Sequence, residues 1–129
     1  MTAPHLAPDI VPERQPALIA LLRLAALECR AAPRPGMAPA EAMRVAAIED
    51  MVVMLARMLP NLLLRRPVIW RPGAEGRSFD EDWLLALAQA LRTGDRHSAR
   101  FLLGRRARPD GAAVLRMLVG DLAARLDAV

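Results

Sequence analysis

Residues 78–107 read SFDEDWLLALAQALRTGDRHSARFLLGRRA, and this stretch decides the fold class. Ser78 is followed three residues later by Glu81, which is the pattern of a capping box at the start of a helix. Thr93-Gly94-Asp95 predicts a tight turn, and its aspartate is a good N-cap for a following helix that ends before Pro109. The stretch therefore predicts two consecutive helices joined by a three-residue turn.

The spacing of apolar residues predicts the face that each of these helices buries. The helix that begins after Ser78 is expected to bury Trp83, Leu84, Leu87, Ala88 and Leu91. The next helix, from about Arg96 to Ala107, is expected to bury Ala99, Phe101, Leu102 and Leu103.

A further helix is predicted on the C-terminal side of this pair. Asp110 is expected to cap it, and it continues through Leu126. Its apolar residues recur at helical spacing, which predicts a regular buried stripe formed by Leu115, Leu118, Val119, Leu122 and Leu126.

Prolines delimit the N-terminal half of the chain. Residues 1–12 are expected to form an extended tail, because their prolines are spaced too closely for a helix. A first helix is predicted from about Glu13 to Ala32, and a second from Pro39 to Leu59, where Pro60 stops or kinks it. Residues 60–77 predict an irregular loop rich in arginine and proline, with one tryptophan.

The composition supports the same fold class. The chain has 25 alanines and 21 leucines, both strong helix formers, whereas aromatic residues make up 3% and tyrosine is absent. At 129 residues there is room for one domain of common size. We therefore expect an all-α, single-domain bundle of about five helices that spans residues 13–129.

No motif of an enzyme, a metal site or a cofactor site is found in the sequence. His5 and His97 are far apart, and one cysteine cannot complete a Cys/His cluster at metal-ligand spacing. The seven glycines form no phosphate-cradling loop. We expect a protein that is not an enzyme and that holds neither a metal nor a cofactor.

Cysteine usage and the apolar runs bear on the compartment. Cys29 lies in an apolar helical stretch, where a small buried thiol is expected, and a reducing cytoplasmic location fits. The N-terminus lacks the succession of a basic, an apolar and a small-residue region that is typical of a signal peptide. Charged residues such as Arg23 interrupt the apolar runs well short of a membrane span, so no membrane partner is expected.

The acidic pair Glu49-Asp50 interrupts the otherwise apolar second helix. A carboxylate that is buried there would need a cationic partner or a raised pKa. Either this face of the helix is partly solvated, or Arg23, Arg30 or Arg57 neutralises the pair. The sequence leaves open whether these two carboxylates are buried.

The strongest local charge lies in residues 92–108, which carry six arginines and one acid, Asp95. Their balance of +5 exceeds the +4 of the whole chain. Three interpretations remain open: a solvated face that complements a helix dipole, a contact surface for an acidic protein, and a phosphate-binding surface. A helix-turn-helix alignment on Gly94 gives three mismatches, one of them Arg100 at a position that is normally buried.

The first functional hypothesis is a partner-binding surface formed by these arginines and by those of the loop. Its predicted residues are Arg65, Arg66, Trp70, Arg71, Arg96, Arg100, Arg105, Arg106 and Arg108. The predicted function is a non-enzymatic protein–protein interaction module, a small adaptor or regulator that binds an acidic surface. The alternative is a nucleic-acid-binding regulator or a DNA-packaging component that places the same arginines on phosphates.

Methionines of the second helix form the other predicted feature. Met43, Met51, Met54 and Met58 fall on one side of the helix. They are interpreted as a gap-filling core stripe, or as an adaptable groove for a partner helix or a second copy of the chain. A homo-oligomer that forms through this stripe or through the first helix is expected, because a helix that is apolar nearly all round is hard to cover with few elements.

Overall fold

A computed structural model describes residues 14–29 and 35–126 of the chain. Within these ranges 68% of the residues are helical and there is no strand, so the predicted all-α bundle of about five helices is confirmed. The tail predicted for residues 1–12 lies outside the described residues. The helices are α1 (Ala17–Ala26), α2 (Pro39–Leu62), α3 (Phe79–Arg92), α4 (Arg96–Arg106) and α5 (Ala112–Arg125).

The core lies between α2, α3 and α5. Helix α5 packs on both α2 and α3, while α1 covers α2 and α4 covers α3. The predicted stripe of α5 is buried throughout, and of the predicted α3 face only Leu91 remains half-buried. These two patterns are read correctly from the sequence because both helices present one wide apolar face to the core.

Helix α1 is shorter than predicted. It begins after Pro16, and the chain turns at its other end, where Glu28 has a left-handed φ of 59°. The Cys29 N–H donates to the Leu24 carbonyl at 2.8 Å, which closes the helix end. Cys29 is therefore exposed, and the predicted buried thiol is wrong. Residues 30–34, which complete the predicted helix, lie outside the described residues.

Helix α2 continues past the predicted stop. Pro60 lies inside it, and the helix ends at Leu62. Pro60 has no backbone N–H to donate, but the turn that follows it still forms, and the Leu63 N–H donates to the Leu59 carbonyl at 3.1 Å.

The ends of α2 and α4 are joined by backbone hydrogen bonds. The Leu64 N–H donates to the Arg106 carbonyl and the Arg108 N–H donates to the Leu62 carbonyl, each at 2.8 Å. These bonds flank an antiparallel bridge between Leu63 and Ala107. The loop that leaves α2 therefore starts beside the C-terminal end of α4.

The start of α5 also differs from the prediction. Gly111 occupies the N-cap position, and no side chain caps this helix. The predicted cap Asp110 is exposed, and its carboxylate instead lies 3.6 Å from the Nε of Arg108. Gly111 is buried directly against the backbone of Leu62. The N-cap of α5 is therefore Gly111, one residue after the predicted cap.

Candidate functional site

A buried ion pair between α1 and α3 holds the loop that follows α2 in place. Glu81 completes the predicted capping box with Ser78, and its side chain has no exposure. Arg23 of α1 donates to both of its carboxylate oxygens, from Nε at 2.8 Å and from Nη2 at 2.9 Å. The same guanidinium donates to the Ala74 and Gly76 carbonyls at 2.9 and 2.8 Å. Arg23 thereby connects α1, the loop and α3.

The charge on Glu81 is set by opposing effects. Burial raises the pKa of this carboxyl, but the hydrogen bond from Arg23 and the N–H groups of Ser78 and Trp70 hold the pKa below its usual value. The hydrogen bond to Glu81 in turn raises the pKa of Arg23. The pair is therefore ionised at neutral pH, and Arg23, one of the three arginines considered as a partner for Glu49-Asp50, pairs with Glu81.

Asp80 and Ser78 hold the middle of the same loop through hydrogen bonds to Val68. The Asp80 carboxylate accepts the Val68 N–H at 2.7 Å and pairs with the Arg106 guanidinium. The Ser78 hydroxyl donates to the Val68 carbonyl at 2.6 Å. Although the loop is irregular, as predicted, its middle is thus hydrogen-bonded to the first turn of α3.

Helix α4 lies on the outside of the molecule with only a narrow buried face. Ala99 and Leu103 are buried, and the Trp83 indole N–H donates to the Leu102 carbonyl at 2.9 Å. Phe101 points away from this face and is 62% exposed, so its predicted burial is wrong. An eleven-residue helix with four arginines has too few apolar residues to bury a second face.

The predicted cap of α4 is present. The Asp95 carboxylate accepts the Ser98 N–H at 3.0 Å and the Ser98 hydroxyl at 2.7 Å. These hydrogen bonds lower the pKa of Asp95. Both ends of α4 are therefore fixed, one by this turn and the other by the bridge to Leu63.

Two exposed phenylalanines and two arginines lie at the C-terminal end of α4. The Arg106 guanidinium is 5.0 Å from the centre of the Phe79 ring, and Arg105 is 5.9 Å from that of Phe101, both within the range of cation–π interaction. Phe79 is 71% exposed. Two further exposed apolar residues lie close to them. The Leu64 N–H donates to the Arg106 carbonyl, and the Val68 N–H donates to the Asp80 carboxylate. We call this set the Phe–Arg surface: Leu64, Val68, Phe79, Phe101, Arg105 and Arg106.

The nine predicted partner-binding residues fall into three places. Arg65 and Arg66 follow Leu64, so they lie near Arg105, Arg106 and Arg108 at the end of α4. Arg96 and Arg100 lie toward the other end of that helix, and Arg96 is about 13 Å from Arg105 along its axis. Trp70 and Arg71 lie where the loop passes Glu81. The Arg106 guanidinium already forms an ion pair with Asp80 and a cation–π contact with Phe79.

The methionines of α2 do not share one environment. Met43 and Met54 are exposed at 74% and 51%, whereas Met51 and Met58 are half-buried against the core. Ile48, Val52, Leu55 and Leu59 form the buried face of the helix instead. On the adjoining positions, Glu49 is half-buried, Asp50 is exposed, and both take part in polar or electrostatic interactions.

Sequence reasoning missed the apolar part of the Phe–Arg surface. Leu64, Val68 and Phe79 carry no local signal, because their proximity to Arg106 depends on hydrogen bonds between segments distant in the chain. The exposure of Phe101 had a weak signal, namely the arginines at 96, 100, 105 and 106 that surround it on a short helix.

The described residues offer neither a metal-binding group nor a membrane-spanning helix. No group of three or more His, Cys, Asp or Glu side chains in residues 14–29 and 35–126 is arranged to hold a metal ion. None of the helices in these ranges combines the length and the apolar character needed to cross a bilayer.

Comparison of the chain with family models, with curated proteins and with solved structures gives no match. The function must therefore be argued from the residues of the site.

Proposed function

We propose that the protein is a non-enzymatic protein–protein interaction module, a small adaptor or regulator, and that the Phe–Arg surface is its contact site. One observation carries the proposal: Phe79 and Phe101 are mostly exposed, and each has an arginine stacked on it. Exposed aromatic side chains leave apolar area in water that a partner would cover, and aromatic residues and arginine dominate the energetics of protein interfaces.

The charge around this surface favours an acidic partner. Arg65, Arg66 and Arg105 are exposed there, and they form no ion pair within the described part of the chain. The nearby acids Asp80 and Glu81 are buried and paired, so they do not offset these charges at the surface. A partner segment with both acidic and apolar side chains would complement the surface.

The nucleic-acid alternative is supported by a separate observation. The acidic first turn of α3 would repel phosphate if its charges were free, but Asp80 pairs with Arg106, Glu81 with Arg23 and Asp82 with Arg77. A phosphate backbone near Arg105 would therefore meet little opposing charge. Salt dependence separates the two functions, because each phosphate contact contributes about −0.9 to the log–log slope of affinity against salt concentration.

Site-specific photo-crosslinking in host cells tests the proposal. A benzoylphenylalanine at position 101 is expected to capture a protein, whereas the same group at Met117, which is 60% exposed on α5, is the matched control and should capture none. In binding assays with the captured protein, Phe79→Ala, Phe101→Ala and Arg105→Glu should each weaken the affinity roughly tenfold, as expected for interface hot spots.

The interaction function is excluded if positions 101 and 117 give the same crosslinks. Crosslinks at position 101 that nuclease removes would support the nucleic-acid function instead. Because both phenylalanines are exposed, the two alanine variants should keep the free energy of unfolding within about 0.5 kcal/mol of the wild type.

We also propose self-association through the exposed methionines of α2, in a cytoplasmic protein. Met43 and Met54 are large apolar side chains in water, and a second copy would cover them. Light scattering after size-exclusion chromatography is expected to give the mass of two or more chains, and Met54→Glu should restore that of one. A single-chain mass for the wild type at all concentrations would contradict this.

A further inference from the structure

A cavity of about 490 Å³ lies beside the turn between α3 and α4, toward the opposite end of α4 from Arg105. Its lining includes three apolar residues, Ala90, Leu91 and Ala99, and three arginines, Arg96, Arg100 and Arg116. Its volume is within the range of sites for small molecules. The cavity shares no residue with the Phe–Arg surface, so it requires an explanation of its own.

The lining of the cavity has a net positive charge. It contains three arginines and one acid, Asp95, which gives +2. Both oxygens of Asp95 are engaged by Ser98, in the cap of α4. Among the residues that the structure describes, Arg96, Arg100 and Arg116 form no ion pair. These three exposed like charges repel one another, and an anion bound between them would offset that repulsion.

The arginines approach the cavity from two elements. Arg96 and Arg100 lie one turn apart on α4, so they share a face, while Arg116 comes from α5. Guanidinium groups suit phosphate because their planar N–H groups donate in pairs to its oxygens. A phosphate monoester carries close to two negative charges at neutral pH, which matches the charge of the lining.

We propose that this cavity binds a small organic phosphate. Arg96, Arg100 and Arg116 would hold the phosphate group, and the organic part would pack on Ala90, Leu91 and Ala99. Binding here is independent of partner binding at the Phe–Arg surface, so either proposal can fail without the other.

Isothermal titration with phenyl phosphate, at constant ionic strength, tests the assignment. Saturable binding is expected with a Kd of about 1 mM or below. Inorganic phosphate should bind more weakly, because it cannot use the apolar part of the cavity, and so should benzoate, because it carries one charge. Arg100→Gln and Arg116→Gln should each weaken phenyl phosphate binding roughly tenfold, the loss that corresponds to about 1.4 kcal/mol.

Arg125→Gln is the matched control, because it removes the same charge from α5, the helix of Arg116, at an exposed position outside the cavity and about 13 Å from Arg116 along the helix axis. It should change the affinity less than about twofold, since exposed charges at this separation are largely screened. The proposal is overturned if the wild type shows no saturable binding, or if Arg125→Gln loses as much affinity as Arg116→Gln. It is equally overturned if an oligonucleotide binds more tightly than phenyl phosphate and Arg100→Gln and Arg116→Gln weaken that binding, since the cavity would then recognise a phosphodiester backbone.

Discussion

Arg23→Met is expected to lower the free energy of unfolding by about 3–5 kcal/mol, the usual cost of breaking a buried ion pair by removing one partner. The substitution leaves the Glu81 carboxylate buried without its counter-charge, and it removes the donors to the Ala74 and Gly76 carbonyls. Urea denaturation followed by circular dichroism measures the loss. The loop should also become more accessible to proteases, because Arg23 connects it to α1.

The matched control is Arg77→Met, which breaks an ion pair at the surface. Arg77 and Asp82 are 25% and 59% exposed, so their pair should contribute less than about 1 kcal/mol. The double variant Arg23→Met/Glu81→Met should be less destabilised than the sum of its single changes, because no isolated charge remains. Equal losses for Arg23→Met and Arg77→Met would show that the buried pair does not stabilise the fold.

The same pair predicts the acid dependence of stability. The pKa of Glu81 is lowered in the folded chain, so the unfolded chain binds a proton at a higher pH than the folded one. The stabilisation by Glu81 is therefore complete above the ordinary glutamate pKa of about 4.3, and it is lost as the pH falls through the lower folded value. Glu81→Gln should make the decline of stability below pH ~4.3 shallower, as measured by urea denaturation at a series of pH values.

Gly111→Ala is expected to cost about 1–3 kcal/mol, because it places a methyl group where the backbone leaves no room. A Cβ at this position would lie 2.7 Å from the Leu62 carbonyl oxygen and 3.0 Å from its Cα. The carbonyl accepts the Arg108 N–H, so a shift that relieves the clash would strain the junction of α2 and α4. The midpoint of urea unfolding is the measurement.

Gly104→Ala provides the control with the same chemical change and the opposite sign. Gly104 lies within α4, and a Cβ there meets no atom within 4 Å. Alanine is preferred over glycine in a helix, so this variant should gain about 0.5–1 kcal/mol. If Gly111→Ala proved as stable as Gly104→Ala, the close approach of Gly111 to Leu62 would not be a feature of the protein in solution.

Local signals predicted the elements of the fold well. The capping box of Ser78 and Glu81, the Asp95 cap and the stripe of α5 each depend on residues a few positions apart. The errors have tertiary causes. Phe101 matched the spacing of a buried residue but lies on a helix that buries little, and Asp110 was displaced as a cap by the packing of Gly111 on Leu62.

The candidate site was predictable only in its charge. The arginines of α4 and of the loop were identified from their density, and the structure brings Arg65 and Arg66 to the end of α4. The pairing of Arg23 with Glu81 could not be predicted, because the two residues are 58 positions apart. The capping box also already accounted for a glutamate at position 81. Nor did the sequence indicate that Arg96 and Arg100 line a cavity with Arg116 from α5.

Helix α4 is attached at three points along its length: the turn capped by Asp95, the Trp83 indole bonded to the Leu102 carbonyl, and the bridge at Ala107. The backbone that carries Phe101 and Arg105 is therefore ordered before any ligand arrives. A partner at this surface would restrict side-chain rotamers only, at roughly 0.5–1.5 kcal/mol for each side chain, and would not have to fold a segment. Such a preorganised surface favours rapid docking with little change of conformation.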